Sequence, residues 1–172
     1  MPENNQTDAS PLPPPAHSPL QVVLFRPEIP PNTGNIQRLC AVTGTTLQLV
    51  GPLGFKLDDR SLARAGMDYR EWATVHSHRD WQSCEDFNTD ACRWIPITTQ
   101  ASRHYHQMHY QPGDRLLFGA EGSGLPAQIH EKYGQNSVRI PMLARGRSLN
   151  LANSVSIVLY EALRQLEFPQ LI

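Results

Sequence analysis

No apolar run in this chain approaches the roughly 18 to 20 residues that a membrane span requires, so a membrane protein is not expected. The N-terminus lacks a basic stretch followed by an apolar one, and nothing marks the chain for secretion. Cysteine is scarce: Cys40, Cys84 and Cys92 make an odd number without a C-x-x-C pair, which argues against a disulfide framework and a zinc ribbon. Reduced thiols in a cytoplasmic protein are the expectation. A basic excess is missing too, since 15 Lys and Arg stand against 16 Asp and Glu, whereas proteins that bind nucleic acid through counterion release usually show one. Lysine is nearly absent. Lys56 and Lys132 are the only two, so the cations are mostly arginines, which suit bidentate phosphate contacts where they gather on one face.

What is present is the balance of a globular protein, 40% apolar and 18% charged, over a length that suits one domain. Residues 1–19 are rich in Pro, Asn and Ser with hardly an aliphatic side chain, which predicts a flexible tail; the folded domain is expected over 20–172. From there short aliphatic runs alternate with amphipathic stretches. Leu20–Phe25, Thr46–Val50, Arg93–Thr98, Arg115–Gly119 and Val138–Ile140 read as strands and the segments between them as helices. The alternation predicts a layered α/β domain with a mostly parallel sheet, whose site lies in the loops at the carboxyl ends of the strands.

Two helices are legible in detail. After Pro30-Pro31-Asn32, the positions Ile36, Leu39, Cys40 and Thr43 should face the sheet, with Asn32, Asn35 and Arg38 on another side. In the last helix Leu151, Val155, Val158, Leu159, Ala162 and Leu166 form one stripe, while Ile157 and Tyr160 lie on roughly the opposite side. An element apolar on two sides is either deeply buried or shared with a second subunit, and a homodimer is the expectation.

Three segments carry candidate chemistry. The first, Pro27-Glu28-Ile29-Pro30-Pro31-Asn32-Thr33-Gly34-Asn35-Ile36-Gln37-Arg38-Leu39-Cys40, is a proline-stiffened loop entering a helix. Read plainly, Asn32 or Thr33 would be its N-cap and Arg38 a solvated cation. The second, Leu117-Phe118-Gly119-Ala120-Glu121-Gly122-Ser123-Gly124-Leu125-Pro126, runs from a strand into three glycines that let backbone approach a ligand. Its order is G-x-x-G-x-G and no Walker lysine follows, so neither a dinucleotide nor a nucleoside triphosphate is the natural ligand. The third, Ile140-Pro141-Met142-Leu143-Ala144-Arg145-Gly146-Arg147-Ser148-Leu149-Asn150-Leu151-Ala152-Asn153, is a strand end and a two-arginine loop, with Ser148 or Asn150 available to cap the final helix.

Taken together and in this order, the three segments resemble the signature motifs of the SPOUT RNA methyltransferases, in the TrmH-like branch. The form I-P-P-N-T-G-N-I-Q-R-L-C and the segment Arg64-Ala65-Gly66-Met67-Asp68-Tyr69 are most similar to the bacterial enzymes that methylate the ribose of the wobble cytidine or uridine of tRNA. The resemblance covers almost everything after Leu20. It implies a C-terminal deep trefoil knot, a homodimer, a tRNA substrate (leucine tRNAs) and S-adenosyl-L-methionine as methyl donor, giving S-adenosyl-L-homocysteine, with no metal. It also implies that Ile97, Gly119, Ile140, Ser148 and Leu149 hold the cofactor, and that Arg38, Asn32, Glu121, Ser148 and Asn150 serve catalysis.

Arg38 is expected to stabilise the developing oxyanion or grip the adjacent phosphate, because a guanidinium is effectively never a base. Arg145 and Arg147, with Arg60 and Arg64, are expected to contact phosphates. Motif two departs from its relatives at Ala120 and at Gly122-Ser123, which makes the nucleotide less secure than the reaction. A run of Arg103, His104, His106 and His109 also departs; an exposed loop is the commoner situation for histidines without carboxylate or cysteine partners, and RNA contact and a metal site are the other readings of that stretch. The rival functions are a non-catalytic knotted RNA-binding protein, a methyltransferase for another RNA, and a metal-dependent hydrolase built on the histidines.

Overall fold

The computed structural model describes residues 19–56, 73–89, 91–169 and 171–172. The expected tail, apart from Pro19, and the expected phosphate ligands Arg60 and Arg64 lie outside the described residues, as does the segment Arg64–Tyr69.

Five strands form one parallel sheet: β1 (Gln21–Phe25), β2 (Thr46–Val50), β3 (Val75–His78), β4 (Trp94–Ile97) and β5 (Arg115–Phe118), in the order β3-β2-β1-β5-β4. Four helices are described, α1 (Pro30–Thr43), α2 (Trp81–Phe87), α3 (Ala127–Tyr133) and α4 (Leu151–Gln165). The strands other than the edge strand β3 are largely apolar because both faces are covered. Val22, Leu24, Leu47, Leu49, Ile95, Leu116 and Phe118 pack against Ile36 and Cys40 of α1 and Val155, Val158, Leu159, Ala162 and Leu163 of α4. On the other face Val23, Phe25, Val50, Trp94 and Leu117 pack against Cys84 of α2 and Leu125 and Ile129 at α3. The result is the expected α/β/α layering.

The stripe on α1 is as expected, with Ile36, Cys40 and Thr43 buried and Leu39 packed at the edge of the core. Burial of a side chain such as Ile36 stabilises by roughly 1.5–3 kcal/mol. All three cysteines are free, and burial pushes the Cys40 thiol well above its ordinary range.

Three expectations are corrected. Val138–Ile140 is not a strand: Val138 and Arg139 make only isolated parallel bridges, to Ile97 and His104. Val138 N–H donates to the Pro96 carbonyl, Thr98 N–H donates to the Val138 carbonyl, and Arg139 N–H donates to the Arg103 carbonyl. The segment therefore divides its pairing between two neighbours instead of following one. The stretch between β4 and β5 is not an α-helix but an irregular path with a single 3₁₀ turn, Tyr105–Gln107, and its backbone pairs with the 138–139 segment, Tyr105 N–H donating to the Arg139 carbonyl and the Arg103 carbonyl accepting from Arg139 N–H. Strand β3 was not expected at all.

The chain leaves β1 towards β2 and β3 on one side, and occupies the other side with β4 and β5. The carboxyl ends of β1 and β5 thus flank the point where strand order reverses, where ligands bind in open parallel sheets. Both glycine- and proline-bearing loops spring from these two adjacent strands.

Candidate active site

Helix α1 begins at Pro30 and Pro31, whose missing N–H groups cost nothing in a first turn. Its N-cap is Ile29, which offers no side-chain bond, so neither Asn32 nor Thr33 caps the helix. Asn32 is only 6% exposed and its amide is used across motifs. Its Nδ2 donates to Glu121 Oε1 at 3.0 Å, and its Oδ1 accepts from Asn150 Nδ2 at 2.9 Å. Asn150 is at the same time the N-cap of α4, its Oδ1 accepting from Asn153 N–H at 3.2 Å. Asn150 is thus the cap, of the two candidates for that place, and the other atom of its amide reaches across to motif one.

Glu121 collects three donors. Its Oε2 accepts from Glu28 N–H at 2.8 Å, and its Oε1 accepts from Ile29 N–H at 3.2 Å besides Asn32. Those backbone donors belong to the N-cap Ile29 and the residue before it, so the carboxylate of motif two fixes the entry of the chain into α1. Motif two itself is folded tightly: Gly124 N–H donates to the Ala120 carbonyl at 2.9 Å, and Gly124 takes the left-handed φ of 70°. A Cβ on Gly119 would run into the backbone of Gly124 and Leu125, so only glycine fits there.

The three loops enclose a cleft of about 630 Å³, within the usual range for small-molecule sites. Of the expected residues, Asn32, Ile97, Gly119, Glu121, Ile140, Arg147, Ser148, Leu149 and Asn150 line it. Arg38 and Arg145 are exposed and are not part of its wall. Thr98, Thr99, Gln100, Leu125 and His130 line the cleft without having been singled out. Their position could have been suspected for Thr98–Gln100, which follow a strand's carboxyl end; nothing in the sequence distinguishes His130. Glu28, whose carboxylate accepts from Gly122 N–H at 2.9 Å, was inside the quoted motif but was given no role.

The wall suits an adenosyl group with a charged tail. Ile97, Phe118, Leu125, Ile140 and Leu149 supply apolar surface for a flat ring, and Leu149 stays 40% exposed at the rim. Glycines at 119, 122 and 124 leave backbone accessible, and Thr98–Gln100 and Ser148 add polar groups. The histidines at 104, 106 and 109 stand apart from this wall, and among the described residues no group of three or more His, Cys, Asp or Glu is arranged to hold a metal.

A family model, the SpoU rRNA methylase family, matches residues 19–160. The chain belongs to the SpoU methylase family. Among relatives, a tRNA (cytidine(34)-2′-O)-methyltransferase of Yersinia pestis is 50% identical over 155 residues, spanning 87% of this chain and 96% of that protein. A solved structure concerned with the 2-OH methylation of C/U34 on tRNA superposes with a TM-score of 0.83 at 36% identity, covering 87% of this chain and 99% of the other. An AdoMet-bound rRNA methyltransferase from Sinorhizobium meliloti has a TM-score of 0.78 at 27% identity, over 88% of this chain and 58% of that one. The SpoU methylase fold therefore extends over nearly all the described residues. Among them, no helix is long and apolar enough to cross a membrane.

Proposed function

We propose that this chain is an S-adenosylmethionine-dependent tRNA 2′-O-ribose methyltransferase acting on the wobble pyrimidine nucleotide. The observation that carries the reading is the Glu121–Asn32–Asn150 chain of hydrogen bonds, which draws one residue from each of three distant motifs to a single cleft. The identity to enzymes that methylate cytidine 34 supports the substrate.

When bound, the cofactor supplies a methyl group on a sulfonium. Ile97, Gly119, Ile140, Ser148 and Leu149 would hold it, with Leu149 against the adenine. The chain's own task is to align a ribose 2′-hydroxyl and to stabilise negative charge on that oxygen as its proton leaves. Arg38 carries that charge role or holds the neighbouring phosphate, and Asn32, Glu121, Ser148 and Asn150 fix the loops around it. Arg145 and Arg147 lie on the exposed loop at the cleft's mouth and contact phosphates; Arg60 and Arg64 join them.

The enzyme acts as a homodimer in the cytoplasm. Ile157 and Tyr160 remain 36% and 45% exposed on α4, and Val42 on the adjacent α1 is 46% exposed. Arg38, one turn before Val42, shares that side of α1, so the charged group stands at the proposed subunit boundary. A C-terminal deep trefoil knot within the domain 20–172 is supported by the route of residues 138–139, which pair with both the end of β4 and the 103–105 segment.

The test is incubation with methyl-labelled S-adenosylmethionine and tRNA from a strain lacking this gene, followed by digestion to nucleosides. Labelled 2′-O-methylcytidine or 2′-O-methyluridine derivatives are expected. A base-methylated product would overturn the ribose assignment, and binding of cofactor without any transfer would favour the non-catalytic reading.

A further inference from the structure

Motifs one and two are held by a reciprocal exchange between two carboxylates. Glu121 accepts the N–H of Glu28, and Glu28 in turn accepts the N–H of Gly122 at 2.9 Å. The two bonds cross, each loop offering its carboxylate to the other's backbone. Glu28 is anchored for this from behind: Gly54 N–H donates to the Pro27 carbonyl at 3.1 Å, and a Cβ on Gly54 would sit 3.0 Å from the Glu28 Cα. On the other side, a Cβ on Gly122 would lie 3.1 Å from Glu28 Oε2, so the bare glycine lets the carboxylate close on the amide. Gly122 lines the cleft, whereas Glu28 does not.

We propose that Glu28 is a positioning residue which, through the Gly122 amide, holds the motif-two loop in the shape that binds the cofactor. The role rests on the reading of the cleft as a cofactor site. It depends on reach and acceptor capacity, since one hydrogen bond from the Gly122 amide to an oxygen at the end of the long side chain fixes the turn that also carries Glu121. Without it, the loop keeps only the Glu121 side of the cross-brace.

Three variants separate reach from charge. Glu28→Gln keeps the length and a carbonyl acceptor, Glu28→Asp keeps the charge but withdraws the acceptor by one methylene, and Glu28→Ala removes both. Binding of S-adenosylhomocysteine is measured by calorimetry, hydrogen exchange is measured at the Gly122 amide, and folding is checked by thermal melting. The expected result is that Gln stays within about 2-fold of the parent, while Asp and Ala weaken binding by about 5- to 20-fold and speed Gly122 exchange, at nearly unchanged melting temperature. Parent-like binding and exchange in both Asp and Ala would overturn the proposal. So would a parent-like Asp variant beside a weakened Gln variant, which would assign the role to charge. Failure of the parent itself to bind S-adenosylhomocysteine would instead overturn the cofactor reading, while accelerated Gly122 exchange in Asp and Ala would still establish the brace.

Discussion

Asn150 donates its Nδ2 proton to Asn32 Oδ1 across 118 positions of sequence, at 2.9 Å, and Asn32 passes the connection on to Glu121. The orientation of the Asn32 amide is fixed by this arrangement, because one neighbour is an obligate acceptor and the other presents a donor. Asn32→Asp would replace the donor with a second carboxylate facing Glu121. Loss of a bond at a buried position, with added like-charge repulsion, is expected to cost about 1–3 kcal/mol of loop order, and methyl transfer should fall by about 10- to 100-fold. Single-turnover methylation of tRNA beside the parent checks this. Transfer at the parent's rate would show that the chain of hydrogen bonds does not organise the site.

Gly119 offers a steric test of the same cleft. Its Cα faces the backbone of Gly124 and Leu125, neither of which can swing aside as a side chain could. Gly119→Ala should therefore displace the motif-two loop, destabilise the fold by about 1–3 kcal/mol and weaken S-adenosylhomocysteine binding at least 10-fold. Chemical denaturation and calorimetry would report the two effects. An alanine variant that binds normally would mean that the tight turn is not needed in the bound state.

Much of this was legible in the residues. The four aliphatic strands and both long amphipathic helices follow from periodicity and turn chemistry, whereas the nine expected residues that meet on one cleft were picked out by the resemblance of the three segments to the SPOUT motifs. Strand β3 was hidden because Val75-His76-Ser77-His78 has no aliphatic run. It is held at the sheet edge by backbone pairing to β2, by His78 Nε2 against Gln48 Oε1 at 2.8 Å, and by both imidazoles packing on Phe87. Those partners lie 30 positions upstream or in a later helix, beyond the reach of local pattern. Val138–Ile140 failed in the opposite sense: its local pattern is strand-like, but the two neighbours it threads between share its hydrogen bonds. Asn32 shows the same limit at the site, since a local reading makes it a cap and only the partner side chains, 89 and 118 positions away, reveal otherwise.

Arg38 stands outside the cleft wall, so its contribution should separate from cofactor binding. Arg38→Lys keeps the charge and loses the planar fork. Methyl transfer is expected to drop by about 100- to 1,000-fold while S-adenosylhomocysteine affinity stays within about 2-fold, in line with loss of a preorganised oxyanion donor. Full activity in the lysine variant would exclude a bidentate role, and lost cofactor affinity would place Arg38 in cofactor binding instead.

The exposed face made by Val42, Ile157 and Tyr160 gives the dimer its test. A charge there would have to be desolvated in the interface, at several-fold greater cost than at a free surface. Tyr160→Asp should shift the protein from dimer to monomer in sedimentation at micromolar concentration with little change in the circular dichroism of the fold. A parent that already sediments as a monomer would remove the homodimer from the proposed function.

Arg145 and Arg147 bear on how a chain with a net charge of −1 holds an anionic substrate. Both are exposed on the loop before α4, and Arg147 borders the cleft. If each neutralises one phosphate, the logarithm of the tRNA association constant should fall linearly with the logarithm of salt concentration, and Arg145→Ala and Arg147→Ala should each reduce that slope by about 1. The double variant should reduce it by about 2, because separate phosphates release separate counterions. An unchanged slope with weakened binding would mean that the arginines act on neighbouring side chains or on bases, and a parent whose binding ignores salt would remove the phosphate contacts altogether. The measurement is independent of catalysis, so it holds for a non-catalytic RNA-binding protein as well. Combined with the Arg38→Lys result, it distinguishes a chain that grips tRNA from one that also carries out the transfer.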